Sequence, residues 1–533
     1  MLTTGPHVAA ALMAATLGAA GLTGQPAQPR QGSATLAVFR APGFPTVDAA
    51  PIDPAVLDAA LADLPVVTFD SAAALSEGLS RQTGGVLLLP YGSAFPVDAW
   101  SAIRAFVKGG GGLVVLGGAP FAVPVRQVNG TAGAATYVQD RRQPTFSHEF
   151  LIGPAEPVER RDILSPARVE AVRGSEWNRL PPEPTHAFAL TVRLATIRDL
   201  KDEGGAEGFR DAVIRPLVHV VDRDGIPRAA PLVAIDRLRG SDAGARWVLA
   251  PSDAALDAPT IHDLAVRALE GAVAIDARPV RASIERGATP MLRINVQRPV
   301  PREGEPVAAA ARVRVTDKDG ADVWTGTVPL RGPAEFRTGL ASIGGDATLA
   351  PGFYRVEVTI DRVSWHPHAT TTGFWVRDEQ LLARGSRLTV SRDWIRQDGR
   401  VMPVVGTTYM AADVDRKFLF EPNPDAWDRD FAEMQRLGIN FVRTGLWTAW
   451  SRAMLNTGAI DEGVVSALDA YVQTAASHGI HVCFTFFAFQ PPAFGGTNPF
   501  LDPRALDGQR ALLTLLASRF HDVPWVHWDL INE

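Results

Sequence analysis

The chain has 533 residues, 46% of them hydrophobic and 21% charged, with a formal net charge of −6 and one cysteine. Apolar content of this size excludes a disordered chain, and the length allows about three or four domains at roughly 100–200 residues each. The negative balance leaves no basic footprint for nucleic acid or an anionic membrane surface, and a lone thiol excludes any disulfide within the chain.

Val8 to Leu22 is a short run of Ala, Leu, Val, Met, Gly and a few Thr, followed by Gln25, Pro26 and Gln28. Its length fits the apolar segment of a secretory leader and is short for a membrane span. The preceding residues carry His7 and no Lys or Arg. The reading is a signal peptide over 1–28 and a secreted or periplasmic protein, the alternative being a disordered Ala-rich terminus. No later segment is long and apolar enough to span a membrane.

Residues 34 to about 120 alternate short apolar strands with helical stretches. Strands are predicted at Thr35–Phe39, Val66–Phe69, Val86–Pro90 and Leu113–Leu116. A helix over Pro54–Leu64 has Asp53 as N-cap and Pro54 at its first position, and a second over Asp98–Lys108 is closed by Gly109. Continuous apolar strands separated by helices imply a parallel sheet covered on both faces. Pro216–Val221, Pro231–Ile235 and Ala245–Ala250 can complete that sheet, and Thr260–Leu269 closes the unit. One domain over 34–275 is expected, with an insertion at about 121–210 rich in Arg, Glu and Pro. The segments Gly84–Gly92 and Gly109–Gly118 resemble the flavodoxin-like, glutamine-amidotransferase-like domain that accompanies some β-galactosidases. The resemblance implies a Cys nucleophile at a strand-to-helix elbow. Gly117-Gly118-Ala119 stands there instead, so a structural or assembly role is implied, with homo-oligomerisation through this domain as the partner expectation.

From 276 to 377 the pattern changes to period two. Val280–Ile284, Leu292–Val296 and Ala311–Val315 alternate, Asp319-Gly320 signals a hairpin turn, and Pro351-Gly352 precedes Phe353–Val358. Short strands spaced by turns suggest an immunoglobulin-like β-sandwich. His366-Pro367-His368 lacks a nearby carboxylate or thiol and reads as an exposed loop rather than a metal site.

Leu388–Val390, Trp394–Arg396 and Asp398–Arg400 form a hairpin leading to a strand at Val404–Thr408. Strand–helix units then repeat. Asn423 caps a helix with Pro424 first, and Trp427, Phe431 and Met434 line one face. A strand follows at Ile439–Arg443, then a helix over Asp461–His478 with Val465, Leu468, Val472 and Ala475 on one side. Ile480–Phe486 is a third strand. Asp502-Pro503 opens a helix with Leu512, Leu516 and Phe520 inward, and Trp525–Leu530 is a fourth strand. Such units build parallel sheets or barrels. Cys483 lies on the third strand and reads as inert core.

This region resembles the large clan of retaining glycosidases on (β/α)8 barrels, its β-galactosidase-like and cellulase-like members in particular. The likeness rests on Trp427–Met434, Gly438–Arg443, Trp450-Ser451, Gln490-Pro491-Pro492 and the terminal Trp528-Asp529-Leu530-Ile531-Asn532-Glu533. It implies strands one to four of a TIM barrel over 388–533. Glu533 is then the general acid/base, Asn532 the contact to the sugar 2-hydroxyl, and Arg443 the partner of the nucleophile. Trp447, Trp450, Phe487 and Phe489, placed on loops after strands two and three, are the substrate-binding aromatics. Bland alternatives stand beside each: a capping or solvent-facing Glu, a strand-end Asn, a structural Arg ion pair, and loop packing. Two departures from the pattern are noted: the amidotransferase-like domain usually follows the barrel, and the His of cellulase-like members after strand three has no match. A full barrel takes about 250 residues, so the nucleophile, on a seventh strand, is expected beyond residue 533, and the chain as written is expected to be inactive. The resemblance implies a β-linked saccharide substrate and no metal or organic cofactor. The rival expectation is a noncatalytic carbohydrate-binding or assembly protein with a degenerate barrel.

Overall fold

The computed structural model describes residues 34–82, 84–129, 135–153, 161–163, 167–172, 175, 177–191, 212–301, 308–344, 349–360, 368–411, 414–447, 450–454, 459–488, 490 and 496–532. The expected leader at 1–28, His366-Pro367, Phe489 and Glu533 lie outside the described residues. Over those described, the molecule is a multidomain α/β protein with several sheets.

The N-terminal unit runs β1 (Leu36–Phe39), α1 (Pro54–Leu61), β2 (Val66–Phe69), α2 (Ala72–Arg81), β3 (Val86–Leu89), α3 (Trp100–Lys108) and β4 (Gly112–Val115). Asp53 accepts a hydrogen bond from the Ala55 amide and Pro54 opens α1, so side-chain capping and a preset φ start the helix. The strands β2-β1-β3-β4 pair in parallel. The sheet then continues through β5 (Ala167–Ala171), β6 (Ala212–Asp222), β7 (Pro227–Arg237) and β8 (Arg246–Leu249), in the order β2-β1-β3-β4-β8-β7-β6-β5. Helix α4 (Ala258–Glu270) follows. Alternate residues feed two cores: Ala37, Leu87 and Leu113 pack with α2 and α3 on one face, while Val38, Leu88 and Val114 pack with α1 and α4 on the other. The stretch read as an insertion contributes to the unit: Val123–Asn129 and Ala135–Gln139 form a small sheet with Ala94–Pro96, and β5 joins the edge of the main sheet.

Two sheets come next. One is β9 (Ala274–Pro279), β11 (Met291–Gln297) and β14 (Phe336–Ser342); the other holds β10 (Ser283–Ile284), β12 (Ala310–Asp317), β13 (Asp322–Pro329), β15 (Gly352–Ile360) and β16 (His368–Val376). Both contribute to one core containing Ile294, Val313, Val356 and Phe374.

A short meander of β17 (Thr389–Val390), β18 (Ile395–Gln397) and β19 (Arg400–Val401) leads to the C-terminal unit. That unit runs β20 (Gly406–Thr408), α5 (Pro424–Arg436), β21 (Phe441–Gly445), α6 (Glu462–Ser477), β22 (His481–Ala488), α7 (Pro503–Arg519) and β23 (Val526–Asn532). The strands pair in parallel in sequence order. Among the described residues the sheet is open, with β20 and β23 at its edges. Val442, Val482, Phe484 and Phe486 pack with Trp427, Phe431, Leu468 and Leu512 in one core.

Helix α6 departs from the one-faced reading. It is buried all round because it lies between its own sheet and β10/β16. The second face is polar and fully partnered: Ser466 bonds to the Ser283 backbone, Gln473 donates to Ser283 Oγ (2.9 Å), Trp375 Nε1 donates to Thr474 Oγ1 (2.9 Å), and Arg377 donates to Asp469 (2.6 Å).

Candidate functional site

Strands β21, β22 and β23 alternate by period two, so one set of side chains meets the helices and the other faces the opposite side of the sheet. The helix side holds Val442, Thr444, Val482, Phe484, Phe486 and Trp528. The opposite side holds Phe441, Arg443 and Gly445; His481, Cys483, Thr485 and Phe487; and His527, Asp529 and Ile531. The register places Arg443 beside Cys483 and Cys483 beside His527, then Gly445 beside Thr485 and Thr485 beside Asp529. Polar side chains thus form rows across adjacent strands.

The best-defined group lies toward the C-terminal ends of these strands. Arg443 donates to Asp529 Oδ2 from Nε (3.1 Å) and Nη2 (2.6 Å), and Nη2 also lies 2.9 Å from Asn532 Oδ1. Thr485, fully buried, donates to the same Asp529 oxygen at 2.8 Å. The Arg443 guanidinium stacks over the Trp447 ring at 5.6 Å. Gly445 leaves room for this arrangement, since a Cβ there would lie 2.6 Å from the Thr485 carbonyl and 3.1 Å from Trp447 Cζ2. Burial works to raise the Asp529 carboxyl, but hydrogen bonds from Arg443 and Thr485 and the Arg443 charge outweigh it, holding it below the ordinary carboxylate range. Asp529 is therefore ionised at neutral pH. Burial pushes the Cys483 thiol up, the Asp529 carboxylate adds to the effect, and Arg443 opposes it.

Nearer the start of the strands, His481 Nδ1 and His527 Nε2 lie 3.1 Å apart, and Gln397 of the meander approaches His481 Nε2 at 3.3 Å. Trp525 and Phe441 rings pack against the two imidazoles. Burial, then the neighbouring His527, pulls His481 down to about 4, with the Pro524 carbonyl opposing; burial lowers His527 as well. Both rings are neutral at pH 7. Among the described residues no group of three or more His, Cys, Asp or Glu is placed to hold a metal ion. No helix of the described residues is long and apolar enough to cross a membrane.

The structure brings Arg443 and Asn532 together directly, Nη2 donating to Asn532 Oδ1, and Arg443 also donates to Asp529. Trp450 and Phe487 are not on loops. Trp450 begins a one-turn helix (Trp450–Ala453), donates from Nε1 to the Ala488 carbonyl at 3.0 Å and packs on Phe487. Phe487 sits inside β22, because the apolar residues Phe486–Ala488 carry the strand two residues further than predicted. Both are buried, as is Trp447. Asp529, Thr485 and the His481/His527 pair were missed as site residues. Their signal was present in the sequence: polar residues at every second position of two otherwise apolar strands.

No protein family matches the chain, and no curated protein matches it. Solved structures match in part. A β-glucuronidase from Parabacteroides merdae is 17% identical over 49% of this chain and 29% of that one, with a TM-score of 0.22. An enzyme described as GH5_18 from Bifidobacterium longum subsp. longum is 22% identical over 24% of this chain and 33% of that one, also at 0.22. A further glycoside hydrolase is 24% identical over 25% of this chain and 42% of that one, at 0.20. The matched part thus spans less than half the length of each. These neighbours are glycoside hydrolases, and the likeness is coarse.

Proposed function

We propose that the chain carries the acid/base side of a retaining β-glycoside hydrolase site, with Glu533 as general acid and base. The observation that supports this most is the Arg443–Asp529–Asn532 group, which gathers side chains from two strands at their C-terminal ends directly before Glu533. That end of a parallel β/α sheet is where reactive side chains are displayed. Glu533 protonates the glycosidic oxygen, a second carboxylate attacks the anomeric carbon, and Glu533 then activates water. Asp529 is unsuited to be that nucleophile: one oxygen accepts from Arg443 and Thr485 and the group is committed to an ion pair. It is also the only carboxylate among the described residues of β20 to β23. The attacking carboxylate comes from elsewhere, about 5–5.5 Å from the acid/base in a retaining enzyme.

Asn532 contacts the hydroxyl next to the anomeric carbon. Trp447 offers a buried indole N–H that has no hydrogen-bond partner among the described residues. Trp450 and Phe487 build the wall behind it, and Phe489 is proposed as a further substrate-binding aromatic. The substrate is a β-linked saccharide, and no metal or organic cofactor takes part. The N-terminal unit serves as an amidotransferase-like assembly module through which copies associate, the two facing sheets as an immunoglobulin-like spacer, and residues 1–28 as a leader directing the protein out of the cytoplasm.

The test is hydrolysis of a panel of aryl and unactivated β-glycosides by the full gene product. Glu533→Gln is expected to slow the unactivated substrates by about 10²–10⁴-fold, the usual contribution of a positioned proton donor. Equal turnover by parent and variant removes Glu533 from the chemistry. Saccharide binding without turnover by the parent supports the noncatalytic carbohydrate-binding reading.

A further inference from the structure

We infer that Asp529 is a positioning residue that, through Arg443, locks the Asn532 side-chain amide with its NH2 group turned to the open side of the sheet. The Arg443 guanidinium has five donors and no acceptor. The Asn532 atom 2.9 Å from Arg443 Nη2 must therefore be the carbonyl oxygen. That leaves Nδ2, with two donors and no partner among the described residues, as the part of Asn532 free to meet a ligand. The amide can keep this sense only while Arg443 stays in place.

Two contacts hold Arg443, and a third holds its carboxylate partner. Asp529 Oδ2 takes both Nε and Nη2. The Arg443 Cζ lies over the Trp447 ring, 5.6 Å from its centroid. Thr485 Oγ1, fully buried, donates to the same Asp529 oxygen at 2.8 Å and holds the carboxylate. The chain of contacts runs from Thr485 to Asp529, then Arg443, then Asn532, across β22, β23 and β21. Without the Asp529 charge, Arg443 keeps only neutral amide carbonyls as acceptors in this group, and hydrogen bonds to charged groups are the stronger kind. The guanidinium then rotates, and the amide loses the contact that distinguishes its oxygen from its nitrogen. The ligand atom facing Asn532 is accordingly an acceptor. On the glycosidase reading, on which the identity of that atom rests, it is the oxygen of the sugar 2-hydroxyl, a contact that strengthens in the transition state.

Two measurements test this, one of them independent of turnover. In the chain labelled with 15N-asparagine, the side-chain NH2 signal of Asn532 is assigned by its loss in Asn532→Asp. Asp529→Asn is expected to shift and broaden that signal, and Asp529→Glu, which keeps the ion pair, to return it toward the parent position. A signal unmoved by Asp529→Asn overturns the proposal. In the full gene product, the ratio of kcat/KM for an aryl β-glycoside to that for its 2-deoxy analogue is expected to fall about tenfold in Asp529→Asn. The rate on the 2-deoxy substrate should stay close to the parent's. A ratio that survives the substitution also overturns the proposal. If the amide signal responds as expected while the parent hydrolyses no glycoside, the positioning role stands and the glycosidase reading falls.

Discussion

In the N-terminal unit, β1, β3 and β4 are buried along their whole length and their two faces feed two separate apolar cores. In the C-terminal unit, β21 to β23 bury an apolar face against helices, while the other face carries Arg443, Cys483, Thr485, Asp529 and two histidines. Both contain parallel strands joined by helices, and in each at least one helix, α1 in the first and α5 and α7 in the second, is started by an Asp-Pro or Asn-Pro signal. A parallel sheet ordinarily covers both faces with apolar side chains, so polar side chains on one face forgo a large burial term and must be satisfied by one another. The Arg443–Asp529–Thr485–Asn532 group is such a solution. In the N-terminal sheet the turn after β4 is closed instead by backbone: Gly118, at φ +61°, would place a Cβ 2.4 Å from the Ser93 amide. No side chain of that turn is displayed for chemistry.

The largest effect that separates the two sheets is expected in the N-terminal one. Leu88 is fully buried, paired between Val38 and Val114. Leu88→Ala should destabilise its unit by about 2–5 kcal/mol, the range for a buried leucine truncated to alanine. Chemical denaturation followed by tryptophan fluorescence measures this, and the loss should be the same at pH 5 and pH 7, because nothing on that strand titrates.

The C-terminal sheet should behave differently with pH. His481, 2% exposed, titrates at about 4 in the folded protein against about 6.5 in an unfolded chain. Between those values the unfolded chain takes up a proton that the folded one refuses. Stability is therefore full above about 6.5 and is lost as pH falls toward about 4, with a total on the order of 3 kcal/mol. His481→Gln should flatten the difference between denaturation midpoints at pH 6.5 and 4.5. An unchanged slope would show that the histidine is not buried as a neutral ring.

How far this contrast was legible in the sequence depends on the range of the interactions that cause it. Helix starts at Asp53-Pro54, Asn423-Pro424 and Asp502-Pro503 depend on contacts two or three residues away and were read correctly. The apolar strands β1 to β4 were found within a residue or two, since a buried parallel strand leaves a continuous apolar run. The polar side of α6 was not found. Ser466, Asp469, Gln473 and Thr474 look like solvent-facing residues until Ser283, Trp375 and Arg377 arrive from about a hundred or more residues upstream. Arg443 and Asn532 were picked out, but Asp529, which accepts from Arg443 alongside Asn532, was passed over, because two acceptor groups on one strand end can compete for the same arginine and only geometry shows that it serves both. Cys483, read as inert core, is half-buried on the polar face.

That cysteine gives the finest probe of the difference between the sheets. Its thiol is held up by burial and then by the Asp529 carboxylate, with Arg443 pulling the other way. The thiolate is the species that reacts, so alkylation of the native chain by iodoacetamide at pH 7.5 should be slow compared with a free thiol. In Asp529→Asn the negative charge that opposes ionisation disappears, which favours the thiolate. The labelling rate at Cys483 should then rise by a few-fold, read by intact mass with time. As a control, Leu88→Ala leaves the charges around Cys483 in place and should not change the rate under conditions where the chain stays folded. A rate that is the same in the parent and in Asp529→Asn would mean that the carboxylate does not reach the thiol electrostatically. The rows of side chains on the open face would then act separately, and the sheet would differ from its N-terminal counterpart in composition alone.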